Sequence, residues 1–153
     1  MSISVIPAEL KHIDAIVSIE TECFPDPWSK NSFVHELTAK HSFLYAAVNE
    51  AQEVVGFASM WHIVNEGQIN NIAVAPRFRK LGAAAALIEA MIQTAISLEM
   101  IGLTLEVRIS NKPAICLYEK YGFKPEGLRK NYYEKPKEDA IIMWKYMEEN
   151  YGS

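Results

Sequence analysis

Gln68-Ile-Asn-Asn-Ile-Ala-Val74 is followed by Ala75-Pro76 and then by Arg77-Phe-Arg-Lys-Leu-Gly-Ala-Ala-Ala-Ala86. The first piece reads as a strand, and Pro76 stops it. Gly82–Glu99 reads as a helix, with Ala84, Leu87, Ile88, Met91, Ile92, Ala95 and Ile96 on one broad face. Arg77, Arg79 and Lys80 bring cations to that helix's N-terminus, where the macrodipole favours anions. An anion there meets both the cations and the free N–H groups of the first turn. Gly82 permits close backbone approach, and Ala83–Ala86 keep the surface low while favouring helix. The same cations also read as ordinary solvated surface charge. The segment lacks Gly-Lys-Ser/Thr, which excludes a nucleotide-triphosphate P-loop. It also lacks Gly-x-Gly-x-x-Gly, which excludes a dinucleotide fingerprint. A pyrophosphate on another carrier remains.

On the N-terminal side, Ser2–Ile6 reads as a short strand. Ala8–Cys23 reads as a helix entered after Pro7, with Leu10, Ile13, Val17 and Ile19 near helical spacing. Phe24-Pro-Asp-Pro-Trp28 breaks it, and Ser29 can cap a second helix over Lys30–Ala39. Phe43–Val48 and Val54–Val64 read as strands joined by a polar turn, and Asn65-Glu66-Gly67 turns the chain into the strand quoted above. On the C-terminal side, Gly102 precedes the apolar strand Leu103–Val107. Lys112–Tyr121 is a helix closed by Gly122, and two strands follow near Phe123–Tyr133 and Ala140–Tyr146. Hairpins in the first half and strand–helix–strand units afterwards predict an α/β chain: a mixed sheet with helices on its faces.

The bulk composition agrees. The chain has 153 residues, half of them hydrophobic and 22% charged, with seven Gly and seven Pro. That predicts one domain spanning residues 1–153 with its own core, and it excludes disordered, collagenous and disulfide-scaffold classes. The longest central run free of polar residues is Leu81–Ile88, against the roughly 20 that a membrane helix needs. The N-terminus has no basic region of the secretory kind. Two cysteines, Cys23 and Cys116, make no framework and fit a reduced, cytoplasmic setting. A net charge of −4 argues against binding nucleic acid through a basic surface. His12, His35, His41 and His62 show no ligand spacing, so no metal is expected. Ser29, Ser59 and Ser110 lie in no nucleophile elbow, so a hydrolase triad has no support. Cys116 reads as a buried apolar residue.

Arg79-Lys-Leu-Gly-Ala-Ala84 resembles the Arg/Gln-x-x-Gly-x-Gly/Ala motif of the GCN5-related N-acetyltransferases, the GNAT superfamily. The second glycine of that motif is Ala84 here. Asn71-Ile-Ala-Val, Leu105-Glu-Val-Arg, Ser110-Asn, Leu117-Tyr-Glu-Lys-Tyr-Gly-Phe, Asn131-Tyr-Tyr and Glu138-Asp-Ala-Ile-Ile-Met resemble one branch more closely. With Pro27-Trp-Ser, they are similar to the RimI-type ribosomal-protein-alanine N-acetyltransferases. The likeness runs from about Phe24 to Met143.

The resemblance implies a sheet that splays open between the strand ending at Val74 and the strand holding Glu106, with the pantetheine arm of acetyl-CoA in the gap. It implies that the backbone of Ile72, Ala73 and Val74 binds that arm. Lys80, Leu81, Gly82, Ala83, Ala84 and Ala85 would cradle the pyrophosphate, and Asn111 would reach the co-substrate. It also implies that Trp28, Tyr132 and Tyr133 hold the first residues of a peptide. Each of the three also reads as ordinary packing.

The chemistry expected is attack of a neutral amine on a thioester, with no covalent enzyme intermediate. Glu106 is the candidate base and Tyr118 the candidate acid. From the residues alone, Glu106 reads equally as a same-face surface pair with Arg108, and Tyr118 as a core aromatic. An α-amine has a pKa of roughly 7.7–8, so freeing it near neutrality costs only about 1 kcal/mol, against more than about 4 kcal/mol for lysine. A modest base therefore suits an N-terminal amine. The expected activity is acetylation of an alanine-starting small-subunit ribosomal protein. The rivals are lysine or small-amine acetylation, and a non-catalytic acetyl-CoA-binding module. Oligomeric state is not legible in the sequence.

Overall fold

The structure is a computed structural model that describes residues 2–147. Met1 and residues 148–153, which the one-domain expectation includes, lie outside the described residues. Seven strands form one sheet: β1 (Ser4–Pro7), β2 (Ser42–Val48), β3 (Val54–Ile63), β4 (Glu66–Val74), β5 (Gly102–Arg108), β6 (Lys124–Glu134) and β7 (Lys137–Tyr146), in the order β1-β2-β3-β4-β5-β7-β6. Only the β4–β5 pair is parallel. Four helices pack on it: α1 (Ile13–Cys23), α2 (Lys30–Thr38), α3 (Ala83–Ser97) and α4 (Lys112–Lys120). The mixed sheet expected from the hairpins and crossovers is the one observed.

The helix ends follow local chemistry. Ser29 Oγ accepts the Ser32 N–H, as a cap should. The first helix starts later than its apolar pattern suggests. Leu10–His12 form a 3₁₀ turn, with the Glu9 N–H donating to His12 Nδ1 at 2.9 Å, and α1 begins at Ile13. Leu10 is therefore exposed, and the buried stripe runs Ile13, Ile16, Ile19 and Glu20. On α3 the buried stripe is Ala83, Leu87, Ile88, Met91 and Ala95, while Ile96 faces outward.

Two apolar clusters lie on opposite faces of the sheet. One joins Leu87, Ile88 and Met91 of α3 to Met60, Ile69, Leu103, Leu105, Tyr118 and Met143. The other joins Ile13, Ile16 and Ile19 of α1 and Phe33 of α2 to Leu44, Phe57 and Ala73. The second face also holds a buried carboxylate, Glu36. It accepts hydrogen bonds from Ser59 Oγ at 2.9 Å, Trp61 Nε1 at 2.7 Å and Ser42 Oγ at 3.0 Å, so its lone pairs are satisfied inside the fold.

The feature that makes a site is the parting of β4 from β5. They pair only at Glu66↔Gly102, Gly67↔Leu103 and Gln68↔Thr104. At Gly67 the approach is so close that a Cβ would sit 2.5 Å from a Leu103 methyl carbon. Beyond Gln68 the ladder stops. On the other side of β4, Ile69 opposes Met60 and Asn71 opposes Ser59, which leaves Asn70 as an extra residue. Such a bulge bends its strand. β4 runs on to Val74 paired to β3 alone, so its other edge of backbone groups faces the gap, while β7 pairs β5 along its whole length.

Candidate active site

Two cavities open from the gap and meet. The first, of about 680 Å³, is lined by Ile72, Ala73 and Val74 of β4 and by Arg79, Lys80, Gly82, Ala83, Ala84 and Ala85 at the start of α3. The second, of about 370 Å³, is lined on the far side by Glu20, Trp28, Glu106, Tyr132 and Tyr133. Phe24, Ile72, Asn111, Ala114 and Tyr118 border both. A molecule bridging the two cavities would pass between Ile72 and Tyr118.

The first cavity brings cations and a helix N-terminus together. Gly82 is the N-cap of α3 in the left-handed region, at φ 88°. A Cβ there would meet nothing within 4 Å, so open space lies above it and glycine is needed for its conformation. Lys80 also has a positive φ, 66°. The turn thus presents the first N–H groups of α3, which have no partner inside the helix, to that space. Of the expected cradle, Leu81 alone does not line the cavity and is exposed. The three cations also divide: Arg79 and Lys80 line it, whereas Arg77 stacks over the Phe78 ring, 4.7 Å from its centroid. Asn111 borders both cavities, but its Oδ1 is engaged in capping α4 through the Ala114 N–H.

In the second cavity, Glu106 is half-buried on β5. Its Oε2 accepts from Gln68 Nε2 at 3.0 Å, and its Oε1 lies 3.4 Å from Arg129 Nε. The surface pair with Arg108, one of the two sequence alternatives, does not form. Arg108 reaches instead to Glu138 at 3.2 Å and to the carbonyls of Pro136 and Lys135 at 2.8 and 3.1 Å. It also covers the Tyr133 ring, 4.1 Å from its centroid.

Of the two sequence readings of Tyr118, the core aromatic is the one observed. It packs in the core, 5.6 Å from the Phe123 ring, and it borders both cavities. Burial raises its phenol above the usual range, and Tyr133 adds to the rise. Burial, followed by the neighbouring Tyr132, pushes Tyr133 up to about 12. Tyr132 and Tyr133 stand edge to face at 5.0 Å. A second break in register puts them there. Between Arg129 and Tyr133 the β6–β7 ladder shifts, and Asn131 takes a positive φ of 54°, a conformation asparagine tolerates better than most. Its N–H donates to Asp139 Oδ1 at 2.8 Å. Asn131-Tyr-Tyr and Glu138-Asp are thus two halves of one device, the acid of one holding the turn of the other.

Trp28 packs at 5.5 Å from Phe33 and 6.2 Å from Trp61, and it also borders the second cavity. Its backbone N–H donates to Glu20 Oε2 at 2.8 Å, and Asn71 Nδ2 donates to Glu20 Oε1 at 2.8 Å. Glu20, Gln68, Arg108 and Arg129 are absent from the site as read from the sequence. Glu20 alone left a signal, an acid in line with the apolar stripe Ile13–Ile16. Among the described residues, no three His, Cys, Asp or Glu side chains are arranged to hold a metal. No helix there is long and apolar enough to cross a membrane.

The chain is similar to known proteins in sequence and in fold. The Acetyltransferase (GNAT) family matches residues 13–123. The [ribosomal protein bS18]-alanine N-acetyltransferase of Escherichia coli K12 is 34% identical over 137 residues, covering 88% of this chain and 91% of that protein. A Bacillus subtilis protein provisionally named for the same activity is 38% identical over 135 residues, covering 88% and 89%. The crystal structure of the Escherichia coli ribosomal-protein-S18-alanine N-acetyltransferase superposes with a TM-score of 0.86 at 30% identity, covering 98% of both chains. GNAT enzymes take their acetyl group from acetyl-CoA. The chain is an N-acetyltransferase that belongs to the GNAT family.

Proposed function

We propose that the enzyme moves acetyl from acetyl-CoA to the α-amine of an alanine-starting small-subunit ribosomal protein, bS18 being the one its relatives are named for. The observation that carries this reading is the meeting of the two cavities at Ile72 and Tyr118, with a carboxylate on one side and an anion cradle on the other. The donor supplies an activated acyl group. The unpaired edge of β4 at Ile72, Ala73 and Val74 binds its arm, and the turn Lys80–Ala85 with Arg79 binds its pyrophosphate.

Glu106 accepts the proton of the incoming amine. The Gln68 amide and Arg129 fix the position of its two oxygens. Tyr118 faces the departing sulfur. A phenol at roughly 10 is already a weaker acid than a thiol at roughly 8.5, so full transfer is uphill by about 2 kcal/mol. Burial raises Tyr118 further, so it acts by donating a hydrogen bond to the sulfur. Tyr132, Tyr133 and Trp28 hold the peptide's first residues. Raised phenols keep their protons at working pH and can donate to peptide carbonyls. The cytoplasm, where ribosomal proteins are made, is the setting.

The test is a panel of acceptors incubated with acetyl-CoA: an alanine-starting peptide, an N-blocked peptide containing lysine, and a polyamine. Mass spectrometry places the acetyl group. Acetylation confined to the alanine α-amine supports the reading. Transfer to the lysine peptide or polyamine replaces it with another acceptor class. Cofactor binding without any transfer replaces it with a binding module.

A further inference from the structure

A buried carboxylate with no cation beside it is costly, and Glu20 is one. It is 1% exposed. Burial raises its pKa, against the opposing pull of the Trp28 N–H and the Asn71 amide, the two donors that meet it. Lysine and arginine side chains form no ion pair with it among the described residues. Packing alone would favour an apolar residue in line with Ile13 and Ile16 on α1.

What the two donors have in common is location. Trp28 ends the segment Phe24–Trp28 that walls the second cavity. Asn71 follows the extra residue at which β4 bends, and it precedes Ile72, where the cavities meet. We propose that Glu20 is a positioning residue for acceptor binding: its two oxygens lock the acceptor loop, through the Trp28 N–H, to the bent part of β4, through Asn71. Each oxygen takes one donor from one wall, so the cavity's width is fixed by a single side chain. The inference deepens the acceptor reading above and rests on it.

Glutamine can reproduce this clamp. Its Oε1 accepts the Trp28 N–H, and its Nε2 donates to Asn71 Oδ1 once that amide turns over. Alanine cannot. The experiment compares Glu20→Ala, Glu20→Gln and Asn71→Ala by kinetics with an alanine-starting peptide, by coenzyme A affinity, and by amide hydrogen exchange over residues 24–28. Glu20→Ala is expected to raise the peptide KM by about tenfold, the size of one lost charge-assisted hydrogen bond. It should leave kcat and coenzyme A affinity within about twofold, and the loop should exchange faster. Glu20→Gln should recover most of the KM and the slow exchange. Asn71→Ala should give part of the loss and add little on top of Glu20→Ala.

An unchanged KM and unchanged exchange in Glu20→Ala overturns the proposal. So does a Glu20→Gln whose peptide KM rises as far as that of Glu20→Ala, because the charge and not the clamp would then matter. If Glu20→Ala does not fold, the Gln and Asn71 variants carry the same comparison. A wild-type enzyme that leaves the peptide unmodified sinks the acceptor reading, and the exchange measurement still decides the clamp.

Discussion

Gln68 Nε2 donates to Glu106 Oε2 at 3.0 Å, from the last residue of β4 that still pairs with β5. The carboxylate assigned as base is thus held at the point where the two strands part. Replacing Glu106 by Gln should lower kcat at neutral pH by about a hundredfold to ten-thousandfold, the range general bases supply. Gln68→Ala should give a smaller loss in kcat with little change in coenzyme A affinity. Steady-state kinetics and calorimetry measure both; wild-type turnover in Glu106→Gln removes its role.

Tyr118→Phe keeps the ring against Phe123 and deletes one hydroxyl. Turnover should fall while coenzyme A affinity and thermal stability stay close to wild type. The raised Tyr118 and Tyr133 give the sign of the alkaline behaviour. Both phenols lie above their unfolded value of roughly 10, so their contribution to stability is complete below that pH. It is lost as pH rises toward about 12, where Tyr133 itself titrates. Thermal melts from pH 8 upward should show the decline starting near pH 10 in wild type and less steeply in Tyr133→Phe.

Arg108 holds the tip of the β6–β7 hairpin by two carbonyls, Glu138 and the face of Tyr133. Glu138 is kept below the usual carboxylate range, first by its hydrogen bonds with Ser110 and then by Arg108, so it stays ionised at working pH. Arg108→Ala frees the hairpin that carries Tyr132 and Tyr133. The peptide KM should rise by about tenfold, with coenzyme A affinity unchanged, because the cavity proposed for that molecule lies on the other side of Tyr118. Equal losses in both would contradict this division.

Glu20 makes a separate prediction about stability. Its pKa is raised in the folded chain. The stability it contributes is therefore complete below its unfolded pKa, roughly 4.3, and is lost as pH rises through the folded value. Glu20→Gln does not titrate. Its melting temperature relative to wild type should rise as pH goes from 4 to 8. A difference independent of pH would contradict the raised pKa.

Much of the fold is legible because punctuation is strong. Pro76, Gly102 and Gly122 fall at element ends, Ser29 caps where it should, and the apolar runs keep their periods. The start of α1 is misread because Leu10 matches the helical period while Glu9 and His12 close a tighter turn. The site is legible only where side-chain type and position coincide, as at Gly82 or Tyr118. Its geometry depends on two lost registers, at Asn70 and at Asn131, and a register is a relation between strands that no single segment encodes. The contacts of Gln68 and Arg108 are invisible for a related reason. Their partners lie 38 and about 30 positions away and are brought together by the sheet alone.

We propose that the opening between β4 and β5 seats the acetyl donor with its sulfur at Tyr118 and its phosphates at Gly82. A crystal structure with coenzyme A and an alanine-starting peptide tests it most directly. The expected result is the pantetheine arm along Ile72–Val74, the sulfur within hydrogen-bond reach of the Tyr118 hydroxyl, and the peptide's amine facing Glu106. Coenzyme A bound elsewhere, or a peptide amine remote from Glu106, would contradict it.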